Sequence, residues 1–155
     1  MHVRDLAPRD AEACDAIVMS LPYHFGLEQG RHDCAVAVRS EPGLVADDDG
    51  VVGFCTFARR YDRSAEITWL AVHADRRGQG IGRAIVDELA GRMSDEDRRL
   101  LVALTVSEAD GPDDIEGGYD ATRAFYRSAG FVEARDFGGY WGADGDTPVL
   151  MVRPL

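Results

Sequence analysis

The sequence predicts a three-layer α+β domain around one mixed sheet, and three observations lead there. The period of the apolar residues switches between two and about 3.6 along the chain, in the order β-α-α-β-β-β-α-β-α-β-β. The 155 residues suit one compact domain, able to bury roughly 70% of the unfolded chain's surface, so residues 1–155 are expected to form a single unit. No internal repeat or low-complexity tract divides them.

His2 to Leu6 alternates as a short strand, and Pro8 to Met19 follows as a helix with Pro8 in its first turn and Ala13 and Ile17 on one face. Leu21 to Gly26, carrying Pro22 among aromatic residues, breaks that helix. Leu27 to Ser40 reads two ways: Leu27, Cys34 and Val38 suit a helix, Cys34 to Val38 also alternates, and the helix is preferred. Gly43 to Asp47 and Val51 to Arg60 are strands joined by Asp48-Asp49-Gly50, residues that tolerate positive φ in a hairpin turn. Ser64 to His73 is the next strand. Ile81, Ile85, Leu89 and Met93 then mark an amphipathic helix ending near Arg92. Leu100 to Val106 is a buried strand, and Ser107 to Gly118 a long acidic loop with Glu108, Asp110, Asp113, Asp114 and Glu116. Asp120 is the expected N-cap of a helix that reaches Ala129 and closes at Gly130, with Phe131 as its apolar contact. Phe131 to Gly138 and Pro148 to Arg153 complete the sheet.

Charge excludes several functions. Seventeen basic side chains, all arginine, stand against 28 acidic ones for a net charge of −11. Such a field repels nucleic-acid phosphates and anionic membranes, so neither is an expected partner, whereas cationic small molecules or basic peptides are. Cys14, Cys34 and Cys55 are odd in number, far apart and in no CxxC pair, which fits neither a disulfide framework nor a zinc site and suits a reducing cytoplasm. His2, His24, His32 and His73 lack ligand spacing, so no metal is expected. The charged N-terminus has no signal-peptide core, and no apolar run reaches 18 residues.

The most informative segment runs from the strand ending at Val72 through Arg76-Arg77-Gly78-Gln79-Gly80-Ile81-Gly82 into a helix. Glycines admit a phosphate to the backbone, the first helical amides point at it, and the helix dipole favours its charge. Arg76, Arg77 and Arg83 add local positive charge. The plain alternative is a strand-to-helix turn that needs unusual φ values. The dinucleotide fingerprint would want a glycine where Arg83 stands, and the P-loop needs a lysine that this chain lacks. No Gly-x-Ser-x-Gly elbow occurs.

Arg77-Gly78-Gln79-Gly80-Ile81-Gly82 resembles the Arg/Gln-x-x-Gly-x-Gly/Ala signature of the GNAT acetyltransferase superfamily, preceded by the strand Glu66-Ile67-Thr68-Trp69-Leu70-Ala71-Val72. Thr122 to Phe131, with Phe125-Tyr126 before Gly130-Phe131, is similar to that family's second hallmark. The resemblance covers nearly the whole chain. It implies an α/β/α fold with a mostly antiparallel twisted sheet, about four helices, and a parallel strand pair that splays apart to admit acetyl-CoA as cosubstrate.

Carried over residue by residue, the resemblance implies that amides of Gly78, Gly80, Gly82 and Arg83, with Arg77 and Gln79, hold the pyrophosphate. Backbone groups of Leu70, Ala71 and Val72 would line the pantetheine arm, with the Leu70 amide on the thioester carbonyl and Phe125 nearby. Tyr126 matches the tyrosine that protonates the departing thiolate; its alternative is simple packing on the sheet. Glu66 falls at a general-base position, acting through water, or else it merely pairs with an arginine such as Arg63. The asparagine frequent seven residues before the tyrosine is here Tyr119. Strand alternation would place Glu66, Thr68 and Leu70 on one face and Ile67, Trp69 and Ala71 on the other, with Trp69 in the core. Cys55 reads as a buried small hydrophobe rather than a nucleophile, which favours direct attack in a ternary complex.

The acceptor pocket would draw on Tyr23 and Phe25, the acidic loop, and Tyr140 with Trp141, a set suited to a cationic amine. The expectation is an N-acetyltransferase acting on a small amine. A protein or peptide N-acetyltransferase and a non-catalytic acyl-CoA sensor are the alternatives, and a homodimer is left open.

Overall fold

The computed structural model describes residues 1–111, 118–143 and 145–155. Within them β1 spans His2–Asp5, α1 Ala11–Met19, α2 Glu28–Ser40, β2 Gly43–Asp47, β3 Val51–Arg59 and β4 Ser64–Val72. Then follow α3 at Ile81–Asp95, β5 at Leu100–Val106, α4 at Tyr119–Ser128, β6 at Val132–Asp136 and β7 at Pro148–Pro154. The strands form one sheet in the order β1-β2-β3-β4-β5-β7-β6. Every neighbouring pair is antiparallel except β4 with β5.

Helices cover both faces. On one, Ile81, Ile85, Leu89 and Met93 of α3 and Tyr126 and Ala129 of α4 are buried against Cys55, Ile67, Leu101 and Met151. On the other, Cys14, Ile17 and Val18 of α1 and Cys34 and Val38 of α2 close over Val45, Phe54 and Ala71. Each such aliphatic side chain removed from water contributes about 1.5–3 kcal/mol. The four-residue spacing of the α3 stripe is what makes this layer possible.

The ambiguous segment before residue 40 is helical because Cys34 and Val38, one turn apart, both reach that second core. At the β2–β3 hairpin Asp49 and Gly50 take positive φ, which Asp tolerates and which Gly, lacking a Cβ, adopts freely.

Four expectations need correction. α3 continues past Arg92 to Asp95, since buried Met93 extends its apolar face by a turn. Gly118, not Asp120, caps α4, because the Asp120 carboxylate is spent on Arg123 one turn along. β6 is shorter than Phe131 to Gly138, and all five of its residues are exposed at the sheet edge.

The fourth correction concerns β4. Thr56 pairs with Trp69 while its neighbour Phe57 pairs with Ile67, so Thr68 is an extra residue, a β-bulge. The bulge resets the alternation. Ile67, Leu70 and Val72 therefore share the α3/α4 face, whereas Trp69 and Ala71 turn to α1 and α2. Of the acidic loop, Asp113, Asp114 and Glu116 lie outside the described residues.

Candidate active site

β4 and β5 pair only from Ser64↔Leu100 to Ile67↔Ala103, although β4 runs on to Val72 and β5 to Val106. A bulge increases local twist, and this one stands at the first residue beyond the last shared pair. β5 meanwhile stays bonded to β7 along its whole length, Leu100↔Pro154 to Val106↔Pro148. The two parallel strands consequently splay, and a cavity of about 850 Å³ opens between Leu70–Val72 and Leu104–Val106.

Beyond the split, one edge of β4 is committed to β3. The His73 amide donates to the Val52 carbonyl at 3.0 Å. Alternation along the strand then turns the peptide groups of Leu70 and Val72 the other way, into the cleft. They form a strand edge that an extended ligand can complete.

The glycine turn lies where β4 ends. Ala74–Arg76 makes one 3₁₀ turn, capped by the His73 ring, which accepts from the Asp75 amide at 3.3 Å. Gly78 and Gly80 follow with φ of 73° and 80°, values that cost an L-residue about 1–2 kcal/mol. A Cβ added at either would meet no atom within 4 Å, so the cradle around them is open. Gly80 caps α3 without a side-chain bond, and Ala84 makes the first helical bond to its carbonyl. The amides of the first turn of α3 consequently face the cradle, at the positive end of a fifteen-residue helix.

Side chains around the turn brace it. Arg76 binds Asp48 and the Gln79 amide oxygen, and Gln79 Nε2 donates to the Asp75 carbonyl at 3.3 Å. Arg83 is held by Asp87 at 2.6 Å and by the Ser128 carbonyl at 2.5 Å, which ties α3 to the end of α4. Arg77 lines the cavity. Gly82 lets α3 approach α4, since a Cβ there would sit 3.1 Å from the Phe125 ring.

Tyr126 lines the same cavity from α4, almost wholly buried and edge-on to Phe125 and Phe131 at 5.2 Å. Burial, with the nearby Cys55 thiol, pushes its phenol above the ordinary value, so the hydroxyl stays protonated as a donor. Glu66 also lines the cavity, and Arg60 Nε donates to its Oε2 at 2.5 Å. The expected partner Arg63 binds Asp97 instead. Burial pushes all three cysteine thiols up to about 12.

At the other end, Phe25 is buried and stacks on Trp69 at 5.8 Å. Trp69, expected in the core, is only half-buried and forms part of the cavity wall. Tyr23 and His24 meet Tyr119 of α4, with centroids 5.8 and 5.1 Å apart, so the 21–26 loop bridges to the opposite lip. Tyr140, 63% exposed, and Trp141 stand at the rim.

The structure thus gathers Glu66, Leu70, Ala71, Val72, Arg77, Tyr126, Tyr23, Phe25 and Tyr140 around one cavity. Gly78, Gln79, Gly80, Gly82, Arg83 and Phe125 lie beside it at the start of α3 and on α4. Sequence reasoning missed Thr68, whose hydroxyl donates to the Glu41 carboxylate and lies 2.7 Å from the Thr56 hydroxyl. It also missed the wall formed by Trp69 and Tyr119. Nothing in a strand pattern marks a bulge, and the aromatic contacts join residues from segments far apart in the chain. Among the described residues no group of three metal-ligating side chains occurs, and no helix is long and apolar enough to cross a membrane.

Comparison with known proteins places these features in context. A family model described as an acetyltransferase (GNAT) domain matches residues 39–133. A GNAT-family protein of Desulfovibrio desulfuricans superposes with a TM-score of 0.79 at 22% identity, covering 99% of each chain. The ribosomal-protein-S18-alanine N-acetyltransferase of Escherichia coli gives 0.74 at 20%, covering 99% of this chain and 92% of its own. An aminoglycoside 6'-N-acetyltransferase complexed with coenzyme A gives 0.74 at 16%, covering 99% and 97%. No curated protein sequence matches.

Proposed function

The chain belongs to the GNAT acetyltransferase family, and from that premise we propose that it moves the acetyl group of acetyl-CoA to the primary amine of a small cationic molecule by direct attack in a ternary complex. One observation carries the reading: the unpaired edge of β4 beyond Ile67 leads straight into an open glycine cradle at the start of α3. An extended arm ending in a diphosphate fits both parts at once.

In this reading the amides of Gly78, Gly80, Gly82 and Arg83 hold the diphosphate, with Arg77 beside it and Gln79 bracing the turn. Peptide groups of Leu70 and Val72 fix the pantetheine arm, which passes Ala71 between them, and Phe125 packs beside it. When bound, acetyl-CoA supplies an activated acyl group on a thiol leaving group. The Leu70 amide donates to the carbonyl oxygen as the amine nitrogen forms its new C–N bond and the C–S bond breaks. Tyr126 gives its proton to the departing sulfur, and Glu66 collects the amine proton through water. Cysteine thiols pushed up to about 12 are poor nucleophiles, which supports direct attack over an acyl-enzyme route.

The bridge from Tyr23 and His24 to Tyr119 narrows the acceptor end, which favours a small molecule over a protein segment. Tyr23, Phe25 and Tyr140 give the cavity an aromatic lining suited to a cation. The test is thiol release from acetyl-CoA with spermidine, kanamycin and an alanine-initiated peptide, beside calorimetry with coenzyme A. Release with spermidine or kanamycin is expected. Release with the peptide alone moves the reading to protein acetylation, and coenzyme A binding without any release makes the protein a sensor.

A further inference from the structure

We propose that the Thr68 hydroxyl, held in one polarity by Glu41, is the hydrogen-bond acceptor that orients the attacking nitrogen of the amine. The inference rests on the amine-transfer reading above and names a residue pair with no part in it so far.

Thr68 is the bulged residue of β4, the first beyond the last pair shared with β5, and it lines the cleft. A hydroxyl carries one proton and two acceptor lone pairs. The Thr68 hydroxyl donates to Glu41 Oε2, and this commits its single proton. The second contact, 2.7 Å to the Thr56 hydroxyl, must then run with Thr56 as donor. Thr56 is fully buried, so this contact is fixed by packing. One lone pair of Thr68 remains, and it can only accept. Polarisation by the carboxylate strengthens it in that role.

A group meeting Thr68 in the cleft therefore has to bring an N–H or O–H. Carbonyl and carboxylate oxygens are refused. Phe25, Trp69 and Leu70, which line the same cavity, carry no side-chain acceptor, and Oε2 of Glu66 accepts from Arg60 Nε. Donation of one N–H to Thr68 leaves the nitrogen lone pair free to face the acyl carbon held along β4. The position of Glu41 agrees with this role. It stands at the C-cap of α2, where an acid meets the negative end of the helix dipole and gains nothing for the helix itself. Glu41 is thus a positioning residue, acting through Thr68.

The test uses the full chain with acetyl-CoA and whichever of spermidine, kanamycin or the alanine-initiated peptide the wild type acetylates fastest. Thr68→Val is expected to raise KM for that amine about tenfold, with kcat changed less than about threefold and coenzyme A affinity unchanged by calorimetry. Thr68→Ser, which keeps the hydroxyl, should restore the amine KM to within about twofold of wild type. Glu41→Met should reproduce the Thr68→Val effect, and the double variant should be no worse than the poorer single one, since the two act as a unit. An unchanged amine KM in Thr68→Val, strictly additive losses in the double variant, or equal weakening of coenzyme A and amine overturns the inference while the acetyltransferase reading stands. Absence of thiol release by the wild type with all three amines overturns that reading and this inference with it.

Discussion

Tyr126 stands on α4 with its phenol buried among Phe125, Phe131 and the cleft. A group whose charged form is penalised by burial keeps its proton to higher pH than free tyrosine, whose value is about 10. If Tyr126 is the acid, the active protonated form persists throughout the assayable range, and activity falls only as pH rises above about 10. Tyr126→Phe should lower kcat by about a hundredfold or more while coenzyme A affinity, read by calorimetry, is kept. Full turnover in that variant would remove Tyr126 from the acid role, whereas a wild-type basic limb below pH 9 that the variant abolishes would show that burial does not raise the phenol. At this scale much was legible. Gly78 and Gly80 could be picked out because their φ values suit little else, and Tyr126 because a motif surrounds it. The side on which Trp69 and Leu70 lie was not legible, since one inserted residue inverts a period of two.

Among the elements, the seating of α4 on β5 depends on a side chain that a helical wheel assigns to solvent. Arg123 is 2% exposed, and its Nη1 donates to the carbonyl of Val106, the last residue of β5, at 2.7 Å. Its Nη2 binds Asp120, and Glu108 lies 3.6 Å from Nε. The guanidinium thereby fixes the helix that carries Tyr126 one turn further on. Truncation leaves the Val106 carbonyl without this partner while Asp120 stays open to water, so Arg123→Ala should cost about 1–3 kcal/mol of stability in urea unfolding. A loss under about 1 kcal/mol would show that solvent replaces the contacts. Arg123 was hidden from sequence reasoning because its partners come from the far end of a strand seventeen residues earlier. The helix and strand themselves were legible in their apolar periods, and so was the hairpin at Asp49-Gly50.

Across the whole molecule, the net charge of −11 requires acids to be tied down, and Arg4 does this where β1 meets β2. It binds both oxygens of buried Asp10, at 2.8 and 2.9 Å, and Asp47 at 2.8 Å. The Arg4 guanidinium holds the Asp10 carboxyl below the usual carboxylate range. A depressed folded value means that the contribution is present above the unfolded value of about 3.9 and is lost as pH falls through the folded one. Urea stability should therefore decline from about pH 5 downward, and Asp10→Asn should lower stability at pH 7 by about 1–3 kcal/mol while flattening that decline. An unchanged acid profile would show that Asp10 is not the linked group. Element order, the glycine turn and the acetyltransferase family are properties of the sequence by itself, because apolar period, φ tolerance and motif spacing are local and survive without knowledge of neighbours. The depth of the splay between β4 and β5, the bulge at Thr68 and the aromatic bridge from Tyr23 to Tyr119 were decided only by tertiary structure. Each depends on which distant segments pack together, and no local pattern in the chain records that choice.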